Sequence, residues 1–209
     1  MEDVLAVYSR PYDKDHPVIC MDEKPVQLFA NARKSVRSKD GRIEYEDNEY
    51  IRNGTACIFL FTEPLGGWRY ADAQEHRTRI DWARQIKWLL DEQYPDAQKV
   101  VLVMDNLNTH TVAALYQTFP PQEAFRLASR LEIHYTPKHG SWLDIAEIEL
   151  SALARQCIGN NRIPDLETLR NLLQPWYVAR NKMQQGVRWQ FTTEDARVKL
   201  RHLYPILNI

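Results

Sequence analysis

The feature that most restricts this 209-residue chain is a run of five apolar residues, Val100 to Met104, that stops abruptly at Asp105. No polar residue alternates with them, and three of the five are β-branched. That predicts a strand buried on both faces, as in a parallel sheet covered by helices. Ligand sites in open α/β sheets lie just beyond the carboxyl ends of such strands. The polar stretch Asp105 to His110 therefore stands where chemistry is placed. Position alone supports a second reading equally well, in which Asp105 caps the next helix.

The other segments fall around this strand. Residues 2–9 read as a short helix and 10–17 as a loop. Pro17 to Asp22 is a strand whose last residue is again an aspartate, and the strand resumes at Val26 to Phe29 after Glu23-Lys24-Pro25. Residues 31–42 carry Arg33, Lys34, Arg37, Lys39 and Arg42 against Asp40 alone, a solvated hairpin or loop, with phosphate contact as the alternative. Ala56 to Phe61 is a further apolar strand. Turn residues at Glu63 to Gly67 lead into a third, at Trp68 to Tyr70.

Thr78 to Gln93 has the spacing of a helix closed by Tyr94-Pro95. At that spacing Trp82 and Trp88 are packing residues rather than a base-stacking platform. Short helices over 111–130, broken at Pro120-Pro121, precede a strand at Leu131 to Tyr135. A helix runs from Ile145 to about Ile158, stopped by Gly159. Another spans 165–183, with Pro175 predicting a kink or break. An amphipathic helix covers Thr193 to Leu203. Three meander strands feeding βαβ units give a mixed five-stranded sheet flanked by helices, an α/β arrangement of the ribonuclease H-like kind. In it the first and fourth strands are neighbours, which brings Asp22 beside Asp105.

Composition narrows the classes. A hydrophobic share of 44% and a charged share of 26% describe an ordinary globule, and a net charge of −1 carries no global nucleic-acid signature. No apolar run reaches membrane-span length and the first residues do not form a signal peptide, so a cytoplasmic protein with no membrane partner is expected. Cys20, Cys57 and Cys157 are widely spaced with no CxxC pair, which argues against zinc and for small buried apolar residues.

Two carboxylates ~4 Å apart repel by roughly 1 kcal/mol in water and ~4 kcal/mol at an effective dielectric near 20. Such a pair stays ionised when a cation sits between its members. With hard oxygen donors, Mg²⁺ or Mn²⁺ is the expected ion. Asp144, Glu147 and Glu149 are the candidates for a third carboxylate. Glu147 also fits a capping box with Asp144 as N-cap. Glu147 and Glu149 point roughly 200° apart on a helix, so only one of them can face a given ion.

The blocks CMDEKPVQL around Asp22, VMDNLNTH around Asp105 and YTPKHGSWLDIAEIEL around Glu147 resemble the three signature blocks of the DDE transposases. The likeness is to bacterial insertion-sequence relatives of the mariner superfamily. It covers nearly the whole chain in order and selects Glu147 over Glu149. The 41 residues between Asp105 and Glu147 exceed the usual interval in mariner-like members, and the 111–130 segment accounts for the excess.

The resemblance implies one catalytic domain over 1–209 with a helical C-terminal extension from about 160. It also implies two Mg²⁺ or Mn²⁺ ions held by Asp22, Asp105 and Glu147, with Asp22 bridging. The implied reaction cuts element ends and joins the 3′-OH to target DNA, by a homodimer on DNA. Family members carry helix-turn-helix domains ahead of the catalytic one. None is present here, so a catalytic fragment or split product is expected, which accounts for the neutral charge.

Around these acids, Lys138, His139, Ser141 and Trp142 are candidate DNA contacts one loop away, His139 being equally a plain loop residue. Asn106 and His110 are accessory candidates; His110 can orient a nucleophile, but a helix-start hydrogen bond is the favoured reading. Residues 155–201 hold nine basic side chains, Arg155 and Arg162 among them, against four acidic ones, the best candidate surface for a DNA backbone. Two other classes remain open: a ribonuclease H-like nuclease without strand transfer, and a catalytically inert DNA- or protein-interaction fragment.

Overall fold

A computed structural model describes residues 1–32, 36–37, 44–45, 49–138, 140–159 and 161–204, without the side chains at 36, 37, 44, 45 and 141. The side chains of the basic run Arg33 to Arg42 lie outside the described residues, as does His139.

Five strands form the central sheet: β1 (Val18–Asn31), β4 (Tyr50–Glu63), β5 (Trp68–Gln74), β6 (Val100–Met104) and β7 (Leu131–Tyr135). Two short strands, β2 (Val36–Arg37) and β3 (Glu44–Tyr45), pair separately. The order is β5-β4-β1-β6-β7. The meander β1, β4, β5 is antiparallel, while β6 lies parallel to both β1 and β7. This is the mixed ribonuclease H-like sheet expected from the alternation of elements.

All five residues of β6 are buried, because helices cover both faces. One face, with Cys20, Val26, Leu28, Val101 and Val103, packs under α1 (Glu2–Tyr8), α5 (Ile145–Leu153), α6 (Leu166–Met183) and α7 (Thr193–Lys199). The opposite face, with Ile19, Met21, Leu102 and Met104, packs under α2 (Arg79–Trp88), α3 (Val112–Thr118) and α4 (Pro121–Ser129). Trp82, Phe59 and Phe61 are fully buried on this second face. Each such side chain contributes about 1.5–3 kcal/mol by leaving water. Trp88 stacks on Tyr70 with ring centroids 4.0 Å apart, so both tryptophans of α2 are packing residues.

Local signals fix the element ends. Thr78 and Asp81 exchange the reciprocal bonds of a capping box at the start of α2. Pro121 opens α4 at a position that needs no N–H. Gly159, at φ +51°, turns the chain after the wider helical turn Ala154–Ile158 that continues α5.

Two expectations need correction. β1 does not pause at Pro25 but runs on for 14 residues. Its pairing with β6 covers only Val18 to Met21, so beyond that point one edge is open and a missing N–H costs no ladder bond. Of the kink or break expected at Pro175, the break is absent, since α6 runs through it for 18 residues. The residue is exposed, so water can reach the carbonyl one turn earlier that the proline leaves without a donor. Cys20 and Cys57 are buried free thiols. Among the described residues no helix is long and apolar enough to cross a membrane.

Candidate active site

The parallel register of β1 and β6 pairs Val18 with Val101 and Met21 with Met104. One residue further come Asp22, within β1, and Asp105, the first residue past β6, both on the face covered by α5 by alternation along the strands. The 3₁₀ turn Ser141–Leu143 and the first turn of α5 bring Asp144 and Glu147 to the same end of the sheet. A cavity of 420 Å³ results, lined by Asp22, Asp105, Asn106, Lys138, Asp144 and Glu147 among others. Asp22, Asp105 and Glu147, far apart in sequence, thus share one space. Among the described residues no three His, Cys, Asp or Glu side chains are already gathered into a coordination shell.

The charges around the cavity are poorly balanced. Burial pushes the Asp22 carboxyl up to about 6; the N–H of Glu23, 2.7 Å away, opposes the shift, while Asp105, Glu147 and Glu23 add to it. Asp144 is 3% exposed and is raised well above the usual carboxylate range, by burial first and by Asp22 next. Asp144 caps α5 by accepting from the N–H of Ala146 at 2.9 Å. No bond runs back from Glu147 to the cap among the described residues, so the capping-box reading of Glu147 gives way to an exposed carboxylate beside the cavity.

Asp105 is not a helix cap either, since α3 starts only at Val112 after Thr111. Its Oδ1 is buried without an aligned hydrogen-bond donor. Four carboxylates that share one cavity form an oxygen donor set suited to a hard divalent cation such as Mg²⁺ or Mn²⁺. Asp22, Asp105 and Glu147 are the residues that could hold it.

His110 does not make the expected helix-start bond. The ring is fully buried, with Nε2 3.0 Å from Oε1 of Glu23 and Nδ1 2.7 Å from Oδ1 of Asp105. The second contact is short but poorly aligned for a hydrogen bond, because Nδ1 also faces the Asp105 carbonyl at 3.3 Å. Burial alone would lower the imidazole's pKa; the contacts with Asp105 and Glu23 outweigh it and raise the group to about 9. Glu23 is the residue that sequence reasoning missed. Alternation along β1 sends it to the face opposite Asp22, and nothing in its neighbourhood announced the histidine 87 positions away.

Glu149, the competing third acid, is 4% exposed and lies within 3.0 Å of both Arg69 and Arg180. Lys138 and Asn106 line the cavity. Trp142, 40% exposed, stacks on Trp189 at 6.3 Å. Arg155 is exposed on the turn after α5. Arg162 bonds the Asn31 side chain and the Glu49 carbonyl, bracing the long β1–β4 hairpin.

The basic C-terminal stretch is less of a surface than its composition suggested. Arg170 pairs with Asp72, Arg180 with Glu149, Arg197 with Glu2 and Lys199 with Asp195. Arg155, Lys182, Arg188 and Arg201 are exposed and make no ion pair among the described residues. A larger cavity of 810 Å³, lined by Tyr8, Arg10, Tyr12, Arg188 and Trp189, has no carboxylate in its wall and so lacks the chemistry of the first.

A family model described as "DDE superfamily endonuclease" matches residues 17–170, a span that contains Asp22, Asp105 and Glu147. No curated protein matches the chain. Among solved structures, the Mos1 mariner paired end complex with Mn is similar at a TM-score of 0.57 and 18% identity, covering 87% of this chain and 54% of that one. The Mos1 strand transfer complex is similar at 0.58 and 16%, covering 87% and 53%. The catalytic domain of Mos1 mariner transposase is similar at 0.55 and 14%, covering 87% and 79%. The chain spans about half the length of the first two. At these identities the likeness is one of fold.

Proposed function

The chain belongs to the DDE superfamily endonucleases, and from that premise we propose that it is the catalytic domain of a DNA transposase that cuts element ends and joins a 3′-OH to target DNA. The observation that carries the reading is the cavity shared by Asp22, Asp105 and Glu147 at the carboxyl end of β6, where its pairing with β1 stops. Asp22, Asp105 and Glu147 would hold two divalent ions. When bound, such a pair activates a water or a 3′-hydroxyl and stabilises the leaving oxygen of an in-line displacement at phosphorus.

The chain's own groups supply the rest. Lys138, exposed at the rim, meets a phosphate oxygen. Trp142 offers an exposed aromatic face to an unstacked base, a contact of about 1–3 kcal/mol. Asp144 retains its proton more readily than a surface carboxylate, which limits the negative charge that the DNA must approach. Arg155, Lys182, Arg188 and Arg201 are the basic groups left to follow a DNA backbone. Joining couples two element ends, so the active form is proposed to be a homodimer on DNA.

Asp105→Ala should abolish Mn²⁺-dependent cleavage of element-end DNA while the protein still unfolds in one cooperative thermal transition. Undiminished cleavage refutes the proposal. Supplying a pre-cut 3′-OH end then separates a transposase, which yields joined product, from a nuclease, which does not.

A further inference from the structure

Asp105 stands on a stretch without regular structure between β6 and α3, yet one of its oxygens is immobilised. The group that touches it, His110, is held on every side. Its N–H bonds the Leu107 carbonyl at 3.0 Å, and its own carbonyl accepts from the Tyr135 hydroxyl at 2.8 Å. The ring stacks against Trp82 at 6.0 Å and 29°. Nε2 meets Glu23, whose side chain is 1% exposed. A buried imidazole between two carboxylates is costly to desolvate, and an apolar side chain would fill the space more cheaply. Oδ1 of Asp105 is buried while the side chain as a whole remains 36% exposed, so Oδ2 is the oxygen left to the cavity.

We infer that Glu23 and His110 form a positioning relay for Asp105: Glu23 orients the imidazole, and the imidazole holds Oδ1 so that Oδ2 is presented to a metal. The relay rests on the proposal that Asp105 is a metal-holding residue. His110 touches no substrate and acts only through Asp105. Partners of this kind, one shell out from a metal, typically change its affinity by about 10–100-fold.

Two near-isosteric substitutions separate the halves of the relay. His110→Asn places an amide nitrogen near the position of Nδ1 and can keep the contact with Asp105. His110→Gln places one near Nε2 and can keep only the contact with Glu23. Mn²⁺ binding to the full chain, followed by electron paramagnetic resonance without DNA, reads the difference, with thermal unfolding measured in parallel.

Expected are a loss of about 10–100-fold in Mn²⁺ affinity for His110→Gln, near-native affinity for His110→Asn, and a loss in the same direction for Glu23→Ala. A purely packing role predicts that both histidine variants fall together, in step with their unfolding temperatures. Equal affinities for the two histidine variants, or native affinity in Glu23→Ala, overturn the relay. Wild type whose Mn²⁺ binding is absent, or unchanged by Asp105→Ala, overturns the metal reading itself and the relay with it.

Discussion

Glu147 and Glu149 sit two residues apart on α5 and meet opposite fates. Glu149 turns inward to Arg69 and Arg180, two cations for one carboxylate, in a pocket almost closed to water. Glu147 turns to a cavity that already holds Asp22, Asp105 and Asp144, with the exposed Lys138 as the one basic residue in its wall among the described residues. A buried charge whose partners are supplied by the fold is architecture: it ties α5 and α6 to the edge strand β5. A group of like charges whose partners the fold does not supply is poised to bind something, and here that means a cation. On the proposed reading, one helix separates a structural acid from a functional one by the charges each face meets.

The largest expected contrast comes from breaking each side in turn. Glu147→Gln should lower metal-dependent cleavage by at least about 10²-fold, the scale of a single catalytic electrostatic group, and leave stability unchanged. Glu149→Gln should do the reverse. It strands the buried Arg69 guanidinium and costs about 3–5 kcal/mol of stability, while Mn²⁺ affinity persists in the folded fraction. Calorimetric unfolding beside a cleavage assay separates the two. Loss of activity without loss of stability in Glu149→Gln would erase the distinction.

A second contrast is in pH. Burial and its acidic neighbours raise the Asp22 carboxyl to about 6, above its ordinary value. The stability tied to this group is therefore fully present below the ordinary carboxylate range and is lost as pH rises through about 6. In chelator, the protein should melt at a higher temperature at pH 5 than at pH 7.5. Mn²⁺ binding should run the opposite way, weakening by roughly tenfold per unit below pH 6 as protons compete for Asp22. A pH-independent Mn²⁺ affinity between pH 5 and 7.5 would contradict the assignment. The Arg69–Glu149–Arg180 group should give no such metal-linked effect.

The smallest effect sharpens the picture of the cavity. Asp144→Asn keeps a side chain able to cap α5 and removes one buried acid. Because the Asp144 carboxyl is raised in the folded state, its ionisation destabilises the fold at neutral pH and ceases to do so in acid. The variant should melt roughly 2–4 °C higher at pH 7.5 in chelator, the equivalent of ~1 kcal/mol at this size, and the gap should close below pH 4. A lower melting temperature would mean that the Asp144 carboxylate is stabilising.

The features legible in the sequence are those that depend on period and on strand ends. The unbroken apolar run before Asp105 announced a two-sided strand; Asp22 was rightly made its neighbour although the strand end expected at Asp22 is absent, because β1 runs on to Asn31. Features set by distant partners were not legible. Arg69 precedes Glu149 by 80 residues and Arg180 follows it by 31, so no local pattern could mark Glu149 as paired. The basic C-terminal stretch misled for the same reason. Composition counts charges, whereas the surface is what remains after Arg170, Arg180, Arg197 and Lys199 find acids elsewhere in the fold. Glu23 and its contact with the accessory candidate His110 escaped because alternation gives a residue's face and not what covers it.

The most direct test of the central claim is a crystal structure of the chain soaked in Mn²⁺, with the ions located by anomalous scattering. The account predicts Mn²⁺ in the 420 Å³ cavity, coordinated by oxygens of Asp22, Asp105 and Glu147, with Glu149 still bound to Arg69 and Arg180. Mn²⁺ bound elsewhere, or a cavity in which Glu147 stays apart from the ion, would contradict it.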